Sequence, residues 1–220
     1  MNVTRGKLIT LEGGEGAGKS TLLAGLREHL AARGVEIAQT REPGGTALGE
    51  AVRALVLDPA LRGIAAESEL LLMFAARAQL VREVLRPALD TGHWVLCDRY
   101  TDASYAYQGG GRGIDAGRIA QLEAVATGGL QPDLTLLLDL PVANGRERAL
   151  RRNTGQSNGY GDADRIERED DGFFERVRQT YLERAAAEPR RFRVLDASLP
   201  QPSVLDAAIA AVDELRAASV

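Results

Sequence analysis

Eight residues near the N-terminus, Gly13-Gly14-Glu15-Gly16-Ala17-Gly18-Lys19-Ser20, fit the spacing G-x-x-x-x-G-K-[ST]. The apolar run Leu8-Ile9-Thr10-Leu11 precedes them and the helical pattern Thr21-Leu22-Leu23-Ala24-Gly25-Leu26 follows. A strand, a glycine-rich turn and a helix start in that order make a phosphate-binding loop. The glycines let backbone N–H groups turn inward around a polyphosphate, and the helix N-terminus adds partial positive charge. In that setting Lys19 reaches the β- and γ-phosphates, and Ser20 is the expected Mg²⁺ ligand. The residues from Gly13 to Thr21 form the expected ATP site. The chain has 27 lysines and arginines, yet only Lys7 and Lys19 are lysines, and one stands where the loop chemistry demands it.

A phosphate loop says only that a nucleoside triphosphate binds, so the second substrate must be read from other segments. Arg41-Glu42-Pro43-Gly44-Gly45-Thr46 follows a second apolar run. Pro43 and the glycines turn the chain, so that Arg41 points a planar fork at a phosphate. The run Val95-Leu96-Cys97 ends in Asp98-Arg99. Asp98 either holds a metal-bound water or orients Arg99, and Arg99 bridges donor and acceptor phosphates. Phe74 and Arg77, three residues apart, share a helical face and make a seat for a nucleobase. Tyr105, Tyr107 and Gln108 cluster beside glycines, and the Gln108 amide offers a donor and an acceptor to a pyrimidine edge. His29 and His93 lack metal-ligand spacing, and no Ser-His-Asp arrangement stands out.

These residues need a scaffold. Apolar, β-branched runs at about 7–12, 36–40, 93–98, 133–140 and 191–196 read as strands. Amphipathic patterns at about 19–33, 46–57, 67–86, 115–126, 142–152, 171–187 and 202–217 read as helices. Alternation of this kind predicts an α/β fold: a five-stranded parallel sheet between two helical layers, with ligands at the carboxyl ends of the strands. The 220 residues suit one such domain. A net charge of −4 advertises no nucleic-acid surface. No apolar stretch is long enough to span a membrane, residues 1–7 lack a signal-peptide core, and the lone Cys97 fits a reducing compartment, so the cytoplasm is expected. The polar, glycine-rich segment 153–163, flanked by arginines, reads as part of a mobile lid over about 148–166.

The phosphate loop is followed in order by T-R-E-P-G-G-T, L-M-F-A-A-R, D-R-Y, Y-A-Y-Q-G-G-G-R-G and D-R-I-E. Together these resemble the bacterial thymidylate kinases from about residue 8 to 196. The resemblance implies a nucleoside monophosphate kinase fold and transfer from ATP to dTMP with Mg²⁺. It implies that Arg41 and Arg99 hold the dTMP phosphate beside Pro43, and that Phe74 stacks on thymine. Arg77 and Gln108 would hydrogen-bond the base, Glu15 would meet the sugar 3′-hydroxyl, and Ser104 or Tyr105 would help exclude a 2′-hydroxyl. Lys19, Asp98 and Arg99 would be joined in catalysis by a lid arginine, since Glu15-Gly16-Ala17 carries none. Arg151 is the favoured lid arginine, with Arg148 and Arg152 as rivals; Arg165 also flanks the lid. Homodimerisation through the 67–85 helix is a further implication. The alternatives are a sister kinase for another monophosphate and, more remotely, a GTP-driven switch, which would need the absent N-K-x-D.

Overall fold

The computed structural model describes residues 5–61, 63–155 and 164–218, except for the side chains of 152–155. The Arg152 side chain and most of the expected lid segment lie outside the described residues. Five strands form one parallel sheet: β1 (Leu8–Gly13), β2 (Ile37–Arg41), β3 (Trp94–Asp98), β4 (Leu134–Asp139) and β5 (Phe192–Asp196), in the order β2-β3-β1-β4-β5. All five lie within a residue or two of the expected runs. The strands bury both faces, so alternate residues serve different layers. Ile9, Leu11, Leu96, Leu136 and Leu138 pack under α1 (Lys19–Ala31) and α9 (Gln201–Ala217). Leu8, Val95, Cys97 and Leu137 face the opposite layer.

That layer holds α3 (Ala66–Leu80), α4 (Arg86–Asp90) and α8 (Asp171–Ala187). α2 (Ala47–Leu57) and α6 (Ala116–Thr127) pack outside α3. Side-chain oxygens start several helices: Thr46 accepts from the Gly49 N–H at 2.9 Å and Asp170 from the Phe173 N–H at 2.7 Å. α7 (Val142–Gly155) runs into the segment expected to be a lid.

Two departures from the sequence reading bear on the site. The helix expected to stop near residue 86 runs to Asp90, through a π-helical turn over Val81–Leu85. Pro87 is therefore near the start of a new helical stretch, where its missing N–H is tolerated. The glycine-rich stretch, which lies outside the expected helices, is helical: α5 (Thr101–Ser104) widens into a π-helical segment, Tyr105–Gly111. Its glycines serve close packing on α8. A Cβ at Gly110 would lie 2.0 Å from Thr180 Oγ1, and one at Gly111 would lie 2.4 Å from the Phe173 ring.

Candidate active site

The carboxyl ends of β1, β2 and β3 form one edge of the sheet, and the site is built there. Gly18, at φ 96°, turns β1 into α1, whose first residue is Lys19. Lys19 Nζ donates to Gly14 O at 2.9 Å and Gly13 O at 3.2 Å, so the ammonium curls under the loop. Burial, and then the nearby Arg99, lower its pKa. α7 touches the loop backbone to backbone: a Cβ at Gly145 would lie 2.5 Å from Glu15 O, and one at Gly16 would lie 2.2 Å from Gly145 O. Two glycines far apart in sequence, Gly16 in the loop and Gly145 in α7, thus let the elements meet.

Arg99 is the described residue other than glycine with a positive φ, at 70°. Its Nη1 donates to Gly13 O at 2.9 Å and to the Tyr181 hydroxyl at 3.2 Å. Its Nη2 donates to the Tyr107 hydroxyl at 3.0 Å and to Glu15 Oε1 at 3.2 Å. Burial acts against the guanidinium charge, but Tyr107, Tyr181 and Glu15 outweigh it and raise its pKa. Behind it lies fully buried Glu12, which accepts from the Tyr100 N–H and the Tyr181 hydroxyl, each at 2.7 Å. Burial, together with Asp102, pushes the Glu12 carboxyl up to about 8. The sequence reading marked Glu12 only as a strand end and gave Tyr107 and Tyr181 no contact with Arg99. The apolar run before the loop hides Glu12, and Tyr181 comes from a helix 80 residues away.

At the end of β2, Arg41 Nη2 is held by Glu50 at 2.8 and 3.0 Å, while Glu50 also accepts from the Gly45 N–H. Pro43, after a cis peptide bond, carries the turn, and its carbonyl accepts from Arg53. Neighbouring Glu42 pairs with Arg77, whose Nε donates to Glu42 Oε2 at 2.7 Å. The other two Arg77 nitrogens donate to Ser104 Oγ and Tyr100 O, both at 3.0 Å, and the guanidinium lies 4.5 Å over the Phe74 ring. Gln108 sits one turn beyond Ser104 and donates to Glu69 at 2.9 Å. Phe74, Arg77, Ser104 and Gln108 are thus brought together, all buried. Tyr105 is not with them. Its hydroxyl donates to Glu123 on α6 at 2.6 Å, and Arg184 stacks on its ring, so it faces away from Arg99 and Arg77. On a widened helix, two residues separate Tyr105 and Tyr107 onto different sides, and Tyr107 takes the place beside the phosphate loop.

A cleft of about 1240 Å³ runs along this edge, lined by Glu15 to Leu22, Arg41, Glu42, Asp98 and Arg99. It also has Arg53, Arg148 and the segment after β5, including Ala197, Ser198 and Pro200. Arg53 and the post-β5 segment carry no motif and were not anticipated. Of the lid arginines, Arg148 lies in the cleft wall and donates to Ala197 O at 3.0 Å. Arg151, one turn on, pairs with Glu147 at 2.6 Å on an exposed face. Arg165 instead donates to Val56 O and to Glu69. Among the described residues no cluster of acidic, His or Cys side chains would hold a metal by itself. Asp98 Oδ1, however, is buried with no hydrogen-bond partner, and Ser20 lines the same cleft. Hard oxygen donors supplemented by phosphate fit Mg²⁺, which is held by few protein ligands.

The family model described as thymidylate kinase matches residues 11–208. A thymidylate kinase of Chromohalobacter salexigens is 57% identical over 89% of this chain and 89% of its own. One of Methylococcus capsulatus is 53% identical over 99% of this chain and 100% of its own. The crystal structure of thymidylate kinase from Ehrlichia chaffeensis superposes with a TM-score of 0.75 at 30% identity, covering 94% of this chain and 99% of that one. No helix among the described residues is long and apolar enough to cross a membrane. With a family match over residues 11–208 and relatives more than half identical over most of the sequence, the chain belongs to the thymidylate kinase family.

Proposed function

We propose that the cleft transfers the γ-phosphoryl group of ATP to dTMP, giving ADP and dTDP. The observation that carries this reading is Arg99, which bonds the loop at Gly13 and Glu15 and lines one cleft with Arg41, so that two phosphates would meet at it. ATP lies with its phosphates on the loop from Gly13 to Thr21 and its base toward Ala197 and Pro200. The dTMP phosphate faces Arg41 and Arg99, and thymine enters between Phe74, Arg77, Ser104 and Gln108. Glu15, held by Arg99, faces the sugar 3′-hydroxyl, and Tyr107 rather than Tyr105 stands nearest the 2′ side. A phosphate oxygen of dTMP attacks the γ-phosphorus in line as the bond to the ADP oxygen breaks; no enzyme nucleophile is required. Lys19 and Arg99 stabilise the charge of the transferred group. Ser20 and Asp98, which line the same cleft, would hold Mg²⁺, and the ion would supply positive charge to the phosphates.

A coupled assay with ATP, Mg²⁺ and a panel of dTMP, dUMP, CMP, GMP and AMP tests the reading. Preference for dTMP is expected; preference for any base other than thymine defeats it. Light scattering on the same sample addresses the proposed homodimer, for which exposed Leu71 on α3 and Val125 on α6 offer apolar contact. A mass of 23.6 kDa would exclude it.

The two described lid arginines separate in the same assay. Arg148→Ala removes a cation from the cleft wall and is expected to lower kcat by about 10²-fold or more, as for loss of one charge-stabilising donor. Arg151→Ala breaks an exposed i,i+4 pair, worth little to stability. If Arg151 enters the cleft only by leaving Glu147, its loss is the smaller of the two. A larger loss for Arg151→Ala would return the catalytic role to that residue.

A further inference from the structure

We propose that Glu69 is a positioning residue that fixes which way the Gln108 amide faces, and through it which pyrimidine the slot accepts. The proposal rests on the thymine slot described above. α3 and the segment from Ser104 to Gln108 lie side by side in register. Arg77 is bonded to Ser104 at one end and Glu69 to Gln108 at the other, with Phe74 between them on α3. Glu69 is buried, and its carboxylate collects Gln108 Nε2 at 2.9 Å, Arg112 Nη2 at 3.2 Å and Arg165 Nη2. Burial alone would raise its pKa, but Gln108, Arg165 and Arg112 outweigh burial and hold it below the usual carboxylate range. An ionised carboxylate only accepts hydrogen bonds. The NH₂ end of the Gln108 amide must therefore face Glu69, and the carbonyl end must face away.

That carbonyl, Gln108 Oε1, is buried and has no hydrogen-bond partner. A buried acceptor left alone is unfavourable, because it has given up its bond to water for nothing. A pyrimidine carrying N3–H, thymine or uracil, would satisfy it. Cytosine presents a lone pair at N3 and would meet the carbonyl oxygen with another acceptor. On this argument Glu69 touches no substrate, yet it decides base choice by denying Gln108 its flipped state.

Glu69→Gln keeps the shape and changes the rule. Arg112 and Arg165 would hold the new side chain's oxygen, leaving its NH₂ toward Gln108, and the Gln108 amide would turn over to match. The readout is the ratio of kcat/KM for dTMP to that for 5-methyl-dCMP, two substrates differing only at positions 3 and 4 of the base. The ratio is expected to fall by about tenfold or more in Glu69→Gln, the scale of one buried hydrogen bond, with KM for ATP unchanged. Gln108→Leu should lower the ratio too, and adding Glu69→Gln to it should change the ratio no further. Arg112→Gln, which removes a donor from the same carboxylate, should lower the melting temperature and leave the ratio in place. A Glu69→Gln protein that loses stability with the ratio intact would overturn the proposal. Wild-type preference for 5-methyl-dCMP would instead defeat the thymine reading itself. Should Glu69→Gln not fold, wild-type NMR decides: the Gln108 side-chain NH₂ protons should resist solvent exchange both free and with dTMP bound. Rapid exchange in the free protein would overturn the assignment.

Discussion

Replacing Lys19 with alanine is expected to lower kcat by about 10²–10³-fold, the effect of removing one preorganised charge-stabilising group, while the protein stays folded. The physical reason for both halves is in the loop. The Lys19 ammonium is nearly buried and, among the described residues, hydrogen-bonds to carbonyls of its own loop, Gly13 O and Gly14 O. Burial and Arg99 both act against its charge. Alanine therefore removes a desolvated cation beside another cation, and the fold loses little. In turnover the same cation is a loss with no substitute, because it lies where phosphate oxygens gain charge in a site shielded from water. Lys19→Arg should not restore the rate, since a planar fork cannot occupy the space of a compact ammonium under the loop. Near-normal turnover with unchanged KM for ATP in Lys19→Ala would remove Lys19 from the mechanism. A collapse of the melting temperature would instead mean that the ammonium holds the loop together.

Much of the site was legible because it is local. The phosphate loop, the Arg41 turn and Asp98-Arg99 each lie within a few residues of a strand end, and the strands read as apolar runs. Contacts set by tertiary packing did not read so directly. Gly109-Gly110-Gly111 suggests flexibility, yet the glycines bring a π-helical segment against Thr180 and Phe173. Gly145 gives no local signal at all, and its role comes from the approach of α7 to Glu15. Tyr105 and Tyr107 are indistinguishable by composition; only the widened helix sends one to Glu123 and the other to Arg99. Arg165 read only as a cation flanking the lid, and its partner Glu69 lies nearly a hundred residues earlier. Glu12 was hidden because a buried carboxylate at the end of an apolar strand has partners that sequence order does not reveal.

Arg99 yields the other large effect. Its φ of 70° costs an ordinary residue about 1–2 kcal/mol, so the backbone is held there by neighbours. Glu12 supplies one hold by accepting from the next N–H, that of Tyr100, and Cys97 Sγ supplies another by donating to Arg99 O at 2.9 Å. This turn aims the guanidinium back over the loop, where it lies 4.8 Å over the Tyr107 ring and bonds Gly13 and Glu15. Arg99→Ala deletes the fork and keeps the strain; Arg99→Gly deletes the fork and relieves it. Both are expected to lose about 10³-fold in kcat/KM for dTMP, the lower end of what an arginine supplies in phosphoryl transfer. The glycine variant should be the more stable of the two by about 1 kcal/mol, read from denaturant titration. Equal stability would mean that the turn carries no strain. Activity retained in Arg99→Gly but lost in Arg99→Ala would place the function in the backbone turn, and the two phosphates would then need another cation between them.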